Sequence, residues 1–285
     1  MKLPNYRRQE LAQQPFSLSK QRKTVIIGLV ITIAIANFIL LAAPTIEEQN
    51  LYGNIIRPIT AVASMAFAIT IVYRQGVDGI FGRAFASLAG GISLWAIAEL
   101  IWAYNTVVIG IQVPFPSIAD VLWLAGYAPL GFHLFSTSRF YGVGLKKKST
   151  FVVALAVATF SSVYIYSLIT ASDLSGPDAA LSLAITIAYP VLDAIILVPA
   201  VLCVLNSGKG ELTAIPWIFI AWILTVLADA IFGYTIVTNI AGEVQIWNFV
   251  YNGAYLFMAA GLYWHNKYFI IGNKKFDEMW EKAHR

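Results

Sequence analysis

The chain has 285 residues, of which 59% are hydrophobic, 14% aromatic and only 12% charged, about half the charged share of a soluble globular domain. With a mean hydropathy of +0.71 this excludes an ordinary water-soluble globule. The tails outside the apolar runs, about 20 residues each, are too short to form a hidden catalytic domain.

Eight apolar runs follow one another at 24–43, 51–73, 82–108, 116–136, 150–171, 179–205, 213–239 and 246–266, each near the ~20 residues a helix needs to cross hydrocarbon. The fold expected is an all-α integral membrane protein with eight transmembrane helices. A basic tail, 1–23, leads into a first four-helix unit, 24–136. A basic loop, 137–149, separates it from a second unit, 150–266, and a tail, 267–285, closes the chain. The first run reads as an uncleaved anchor rather than a signal peptide. Its basic leader is long, and the small-residue exit Ala42-Ala43 is followed by Pro44.

The net charge of +4 is explained by where the bases sit. Lys2, Arg7, Arg8, Lys20, Arg22 and Lys23 precede the first run, and Arg74 and Arg83 flank the second loop. Arg139 and Lys146 to Lys148 fill the fourth loop, Lys209 lies in the sixth, and Lys267, Lys274, Lys275, Lys282 and Arg285 follow the last run. All these fall on one side, while the odd-numbered loops hold Glu47, Glu48, Asp173, Asp178 and Glu243. The positive-inside rule then puts both termini in the cytoplasm, with no nucleic acid as partner. Cys203 stands alone inside the sixth run, so neither an intramolecular disulfide nor a thiolate metal cluster can form.

Runs five to eight resemble a second copy of runs one to four. Arg57-Pro58 matches Tyr189-Pro190 at an offset of 132, and Ala98-Glu99 matches Ala228-Asp229 at 130. Asp120, Trp123 and Tyr127 match Asn248, Tyr251 and Tyr255 at 128. Because each half has an even number of spans, the expectation is two parallel four-helix repeats related by an axis along the membrane normal.

Four carboxylates fall within spans: Glu99, Asp120, Asp193 and Asp229. Burying an acid at membrane depth costs ~2.5–3.5 kcal/mol on insertion scales, so such groups face the bundle interior or a wet cavity. Glu99 and Asp229, roughly 25 Å above the cytoplasmic start of their helices at 1.5 Å per residue, would meet at a shared cleft open to the outside. Trp95 and Trp102 share the face of Glu99, and Trp222 and Phe232 that of Asp229. A carboxylate between aromatic faces suits a cation, a proton or a hydrogen-bonding ligand; its bland alternative is an interhelical hydrogen bond that fixes packing.

Asp120 follows Ser117 by three residues in Pro114-Phe115-Pro116-Ser117-Ile118-Ala119-Asp120, an arrangement that reads foremost as a capping box opening the fourth helix. Arg57, the single base on the outer side, either snorkels and pairs with Glu47 or Glu48 or serves as counter-ion to Glu99 or Asp120. Asp193, three residues after Pro190, is placed to bond backbone freed by that proline. Tyr127, Tyr189 and Asn248 complete the candidate ligand- or proton-binding set. Gly82, Ala86 and Gly90 form a small-residue stripe for close packing of the third helix. His133 and His265 suggest a haem, but they are four residues out of the repeat register. No lysine lies within a span to carry retinal. Neither a cofactor nor a metal is expected, and with no G-x-S-x-G, H-E-x-x-H or Walker loop the chain does not read as an enzyme.

The run Trp95-x3-Glu99-x2-Trp102, then Pro-Ser-Ile-Ala-Asp at 116–120 and Ala-Gly-Tyr at 125–127, followed by Ala188-Tyr189-Pro190-x2-Asp193 and Ala228-Asp229, resembles the multi-span N-terminal region of some prokaryotic diguanylate cyclases and sensor histidine kinases. The resemblance covers roughly the second to eighth runs and implies a membrane sensory input module. No GGDEF, kinase or other output domain follows the last run. The expectation is therefore a stand-alone sensory or ligand-binding module of the cell membrane, in contact with the lipid bilayer and a separate cytoplasmic signalling protein, its small ligand unknown. The alternative is a proton-coupled transporter of a cation or small solute. Four prolines, Pro58, Pro129, Pro190 and Pro199, are placed to break helices if transport is the task.

Overall fold

A computed structural model describes residues 15–111, 113–140, 147–172, 179–206, 215–238 and 246–271. The bases at 2, 7, 8, 146, 209, 274, 275, 282 and 285 and the acids at 173, 178 and 243 lie outside them. Among the described residues all the regular structure is helical, in the order α1 (Pro15–Leu41), α2 (Ile46–Gln75), α3 (Gly79–Ala103), α4 (Ile118–Phe140), α5 (Lys147–Ala171), α6 (Ala179–Asn206), α7 (Ile215–Val237) and α8 (Ile246–Trp264). Helices α3 and α8 run on into wider π-helical turns, Tyr104–Ile109 and His265–Ile271.

Local chemistry accounts for several boundaries. Thr45 caps α2 by accepting from the Glu48 amide at 3.2 Å, and its hydroxyl donates back to the Glu48 carboxylate at 3.2 Å. Glu47 and Glu48 also place negative charge at the positive end of the helix dipole. The π turn after α3 ends at Gly110, whose φ of 74° is one that L side chains rarely adopt. All four prolines named above lie inside continuous helices, so none of them breaks a span.

Among the described residues seven helices are long and apolar enough to cross a membrane, which is the build of a polytopic membrane protein. The exception is α8, whose hydropathy is lowered by Asn248, Tyr251, Asn252 and Tyr255. It is instead a central helix, with Asn248, Asn252, Gly253, Ala254, Tyr255, Met258 and Leu262 all buried against α2 and α7. The outermost helices, α1 and α5, expose Ile27, Val30, Ile31, Ile35 and Phe38, and Phe151, Val152, Leu155, Phe160 and Val163. Such a continuous apolar surface is stable only against lipid or another apolar partner.

Successive helices alternate in direction. In the α3–α4 pair Trp102 meets Trp123 at one end and Phe85 meets His133 at the other. Between the halves, α2 packs on α8, and α4 packs on α6. One end of this bundle is solid. Ile71, Phe85, Leu88, Leu130, Leu134, Ile196, Cys203, Phe219, Met258 and Leu262 form a buried apolar layer toward the end that carries Arg74, Arg83 and Lys267. His133 and His265 lie there too, with Phe85 stacked against His265 and edge-on to His133, so a phenyl ring occupies the place between the two imidazoles.

The stripe of small residues is corrected by the packing. Gly90 is exposed and a Cβ there would meet nothing within 4 Å. The close approach of α3 to α4 is made instead by Gly91, whose Cβ would collide with Leu130, and by Gly126, whose Cβ would collide with the Trp95 indole.

Candidate functional site

Above the apolar layer the helices diverge around a cavity of about 1060 Å³. Its mouth is formed by Asn50, Val113, Pro114, Ser172, Val237 and Trp247, which belong to the end with the base-poor loops. Nine of the residues expected from sequence line it: Arg57, Trp95, Glu99, Trp102, Asp120, Tyr127, Tyr189, Asp193 and Asp229. Tyr164, Trp123, Phe232, Tyr251 and Tyr255 extend the aromatic wall.

On the first side, α2 and α3 bring Arg57 to Glu99. The Arg57 Nε donates to Glu99 Oε2 at 2.6 Å, and both side chains are buried, at 6% and 3% exposure. Arg57 Nη1 also donates to Asn248 Oδ1 at 3.3 Å, and its guanidinium lies 5.5 Å from the Tyr251 ring centroid. Asn248 comes this close because it faces Gly53, where a Cβ would stand 2.5 Å from its Nδ2. Tyr255 donates to the other oxygen of Glu99 at 3.2 Å. Arg57 is thus the partner of Glu99, not of Glu47, Glu48 or Asp120. A buried guanidinium and carboxylate compensate each other's lost hydration only when paired in this way.

On the second side, the Tyr127 hydroxyl lies 2.7 Å from Asp193 Oδ1 and 3.2 Å from Asp229 Oδ2, and Tyr251 donates to Asp229 Oδ1. Asp193 therefore does not serve backbone freed by Pro190. One helical turn beyond the proline its side chain points across the bundle, where a tyrosine of α4 reaches it. Tyr189 donates to Asp120 Oδ1 at 3.0 Å. The other Asp120 oxygen takes the Ser117 amide and the Ser117 hydroxyl, each at 2.8 Å. Asp120 does reach back to Ser117 as a capping box requires, yet the Ser117 hydroxyl donates to the acid rather than accepting from the helix.

These bonds follow the sequence offsets. Tyr255 to Glu99 in one direction and Tyr127 to Asp229 in the other are equivalent pairs at offsets of 128 and 130. Arg57 to Asn248 and Tyr189 to Asp120 are equivalent at 132 and 128.

Two expected residues stand apart from the cavity wall. Asn248 acts through Arg57. Trp222, seven residues before Asp229 and so roughly 10 Å deeper, is 1% exposed beneath the cavity, edge-on to Trp95. Trp95 is held by its Nε1 donating to Trp123 O at 2.8 Å, and it packs on Tyr127. Trp102 packs on Trp123 and Phe232. The sequence reading left Tyr251 and Tyr255 out of the site. The signal that would have included them is their match to Trp123 and Tyr127, since a residue whose repeat partner lines a site belongs in it as well. Tyr164, whose hydroxyl donates to Ala230 O at 2.8 Å, carries no sequence signal.

In chemical terms the cavity pairs one neutralised ion pair with three further carboxylates held by hydroxyls, all within an aromatic shell. Comparison with known proteins found no match among family models, curated proteins or solved structures.

Proposed function

We propose that the chain is an eight-span protein of the cell membrane, built as two parallel four-helix repeats with both termini on the basic, cytoplasmic face. In this reading it is a sensory module, without catalysis, whose ligand enters the cavity from outside. The observation that carries the reading is the cavity itself: about 1060 Å³, just above the ~300–1,000 Å³ usual for small-molecule sites. It is lined by convergent acidic and hydroxyl groups within an aromatic wall and stopped by a packed apolar layer below. The equivalent hydrogen bonds at offsets of 128, 130 and 132 support the repeat, and the buried, contact-rich α8 supports its place as the eighth span. The bases at the closed end, Arg74, Arg83 and Lys267, support a cytoplasmic orientation and offer a surface for a separate signalling protein.

The seam between the halves favours a second reading as a proton-coupled transporter. It consists of α2 on α8 and α4 on α6; Asp120 and Asp193 lie on it, and Glu99 and Asp229 are tied to it through Tyr255 and Tyr127, an arrangement suited to one repeat rocking against another. Flux separates the two. Proteoliposomes carrying wild type or Glu99→Gln/Asp229→Asn are loaded with a pH-sensitive dye and given amines and metal cations. The sensory reading expects no carboxylate-dependent uptake. Uptake that the double variant abolishes would replace it with the transporter.

A further inference from the structure

The two sides of the cavity differ in how their acids are satisfied. Glu99 has a guanidinium on one oxygen and a hydroxyl on the other. Asp193 and Asp229 share a single hydroxyl, that of Tyr127, and one hydroxyl has one proton to give. Tyr251 satisfies the remaining oxygen of Asp229. Asp193, 5% exposed, keeps its Oδ2 without a hydrogen-bond partner among the described residues, and its side chain lines the cavity. Arg57 is the sole base among the described lining residues, and Glu99 already holds it. Two carboxylates with only the Tyr127 and Tyr251 hydroxyls between them, in a setting where unpaired charge is costly, form an acceptor site with a vacancy for positive charge.

We propose that this site takes a small organic cation, an amine in its ammonium form, seated between Asp193 and Asp229 with its carbon skeleton along the aromatic wall. The proposal rests on the ligand-binding reading above and narrows it to one chemical class. The ammonium donates to Asp193 Oδ2, an acceptor that no described residue uses. Tyr164, Tyr189, Phe232 and Trp102 present the π faces and apolar area that an alkyl or aryl amine needs. A bare metal ion suits the site less well. Among the described residues no three of His, Cys, Asp or Glu come together to hold one, and about 1060 Å³ is room for a molecule.

The test uses the full chain in nanodiscs, titrated separately with phenethylammonium, 2-phenylethanol and 3-phenylpropionate. The readout is tryptophan fluorescence, for which Trp102 and Trp123 on the wall serve as reporters. The expected result is saturable binding of the amine at least about tenfold tighter than the alcohol, as a charge-assisted hydrogen bond confers. That preference should be lost in both Asp193→Asn and Asp229→Asn. Should the first variant fail to assemble, the second, at the more exposed acid, decides. Saturable binding of the alcohol or the carboxylate with no preference for the amine overturns the amine assignment and leaves the ligand cavity standing. An amine preference that survives both substitutions overturns the seat. No saturable response to any of the three compounds overturns the cavity reading, and the proposal with it.

Discussion

At the positions matched by the sequence offsets, the two halves of the chain differ in their electrostatics. At the position where α2 carries Arg57, α6 carries Tyr189. Where α2 has the buried Ala61 one turn on, α6 has Asp193. The acids Glu99 and Asp229 and their crossing tyrosines, Tyr255 and Tyr127, occur in both halves. The first half therefore closes on itself as a neutral ion pair, while the second gathers two carboxylates and no base. An ion pair buried at 6% and 3% exposure is an internal strut, and the asymmetry marks the second half as the side with unmet binding capacity.

The strongest way to break the comparison is to remove the strut. Arg57→Leu leaves Glu99 buried and unpaired and is expected to cost about 3–5 kcal/mol, read as a lowered unfolding midpoint in detergent. Arg57→Leu/Glu99→Leu should restore most of the loss, because a packed apolar pair is often as stable as a buried salt bridge. Tyr189→Phe, at the matched position in α6, removes only a hydroxyl and should cost about 1–3 kcal/mol in the same assay.

Tyr127→Phe and Tyr255→Phe sharpen the contrast. Loss of the Tyr127 hydroxyl strips the shared donor from two carboxylates and should cost about 1.5–3 kcal/mol, whereas Tyr255→Phe, with Arg57 still on Glu99, should cost about 0.5–1.5 kcal/mol. Equal costs would show that the ion pair contributes nothing to holding Glu99.

Packing differs between the halves as well. Trp95 lies against Gly126 in the first, while Thr225 and Ala254 occupy the matching positions in the second. Gly126→Ala should displace the Trp95 indole and destabilise by about 1–3 kcal/mol, visible as a shift in tryptophan emission. The smallest effect is expected at the entrance to α4, where Ser117→Ala removes one hydroxyl from Asp120 and should cost about 0.5–1 kcal/mol.

Much of the site was legible because burying a charge in an apolar run is expensive wherever it occurs. Glu99, Asp193, Asp229 and Arg57 stood out in the sequence without any knowledge of their neighbours, and all four line the cavity. Residues related by the sequence offsets of 128, 130 and 132 make corresponding bonds. Other features were not legible. Asp193 sits beside Pro190 in the chain but takes its partner from 66 residues away, and Arg57 reaches Asn248 across 191. Trp222 shares a helix face with Asp229 yet ends below the cavity, because depth along the axis matters as much as direction.

Hydropathy accumulates along the chain, so the helical membrane class and the approximate bounds of the runs are properties of the string of residues itself. Which acid meets which partner depends on the rotation and depth of each helix against neighbours distant in sequence. Those are set by packing, such as Gly53 under Asn248 and Gly126 under Trp95. The neutral strut, the two-carboxylate pair under one tyrosine and the cavity between them therefore exist only once all the helices have docked.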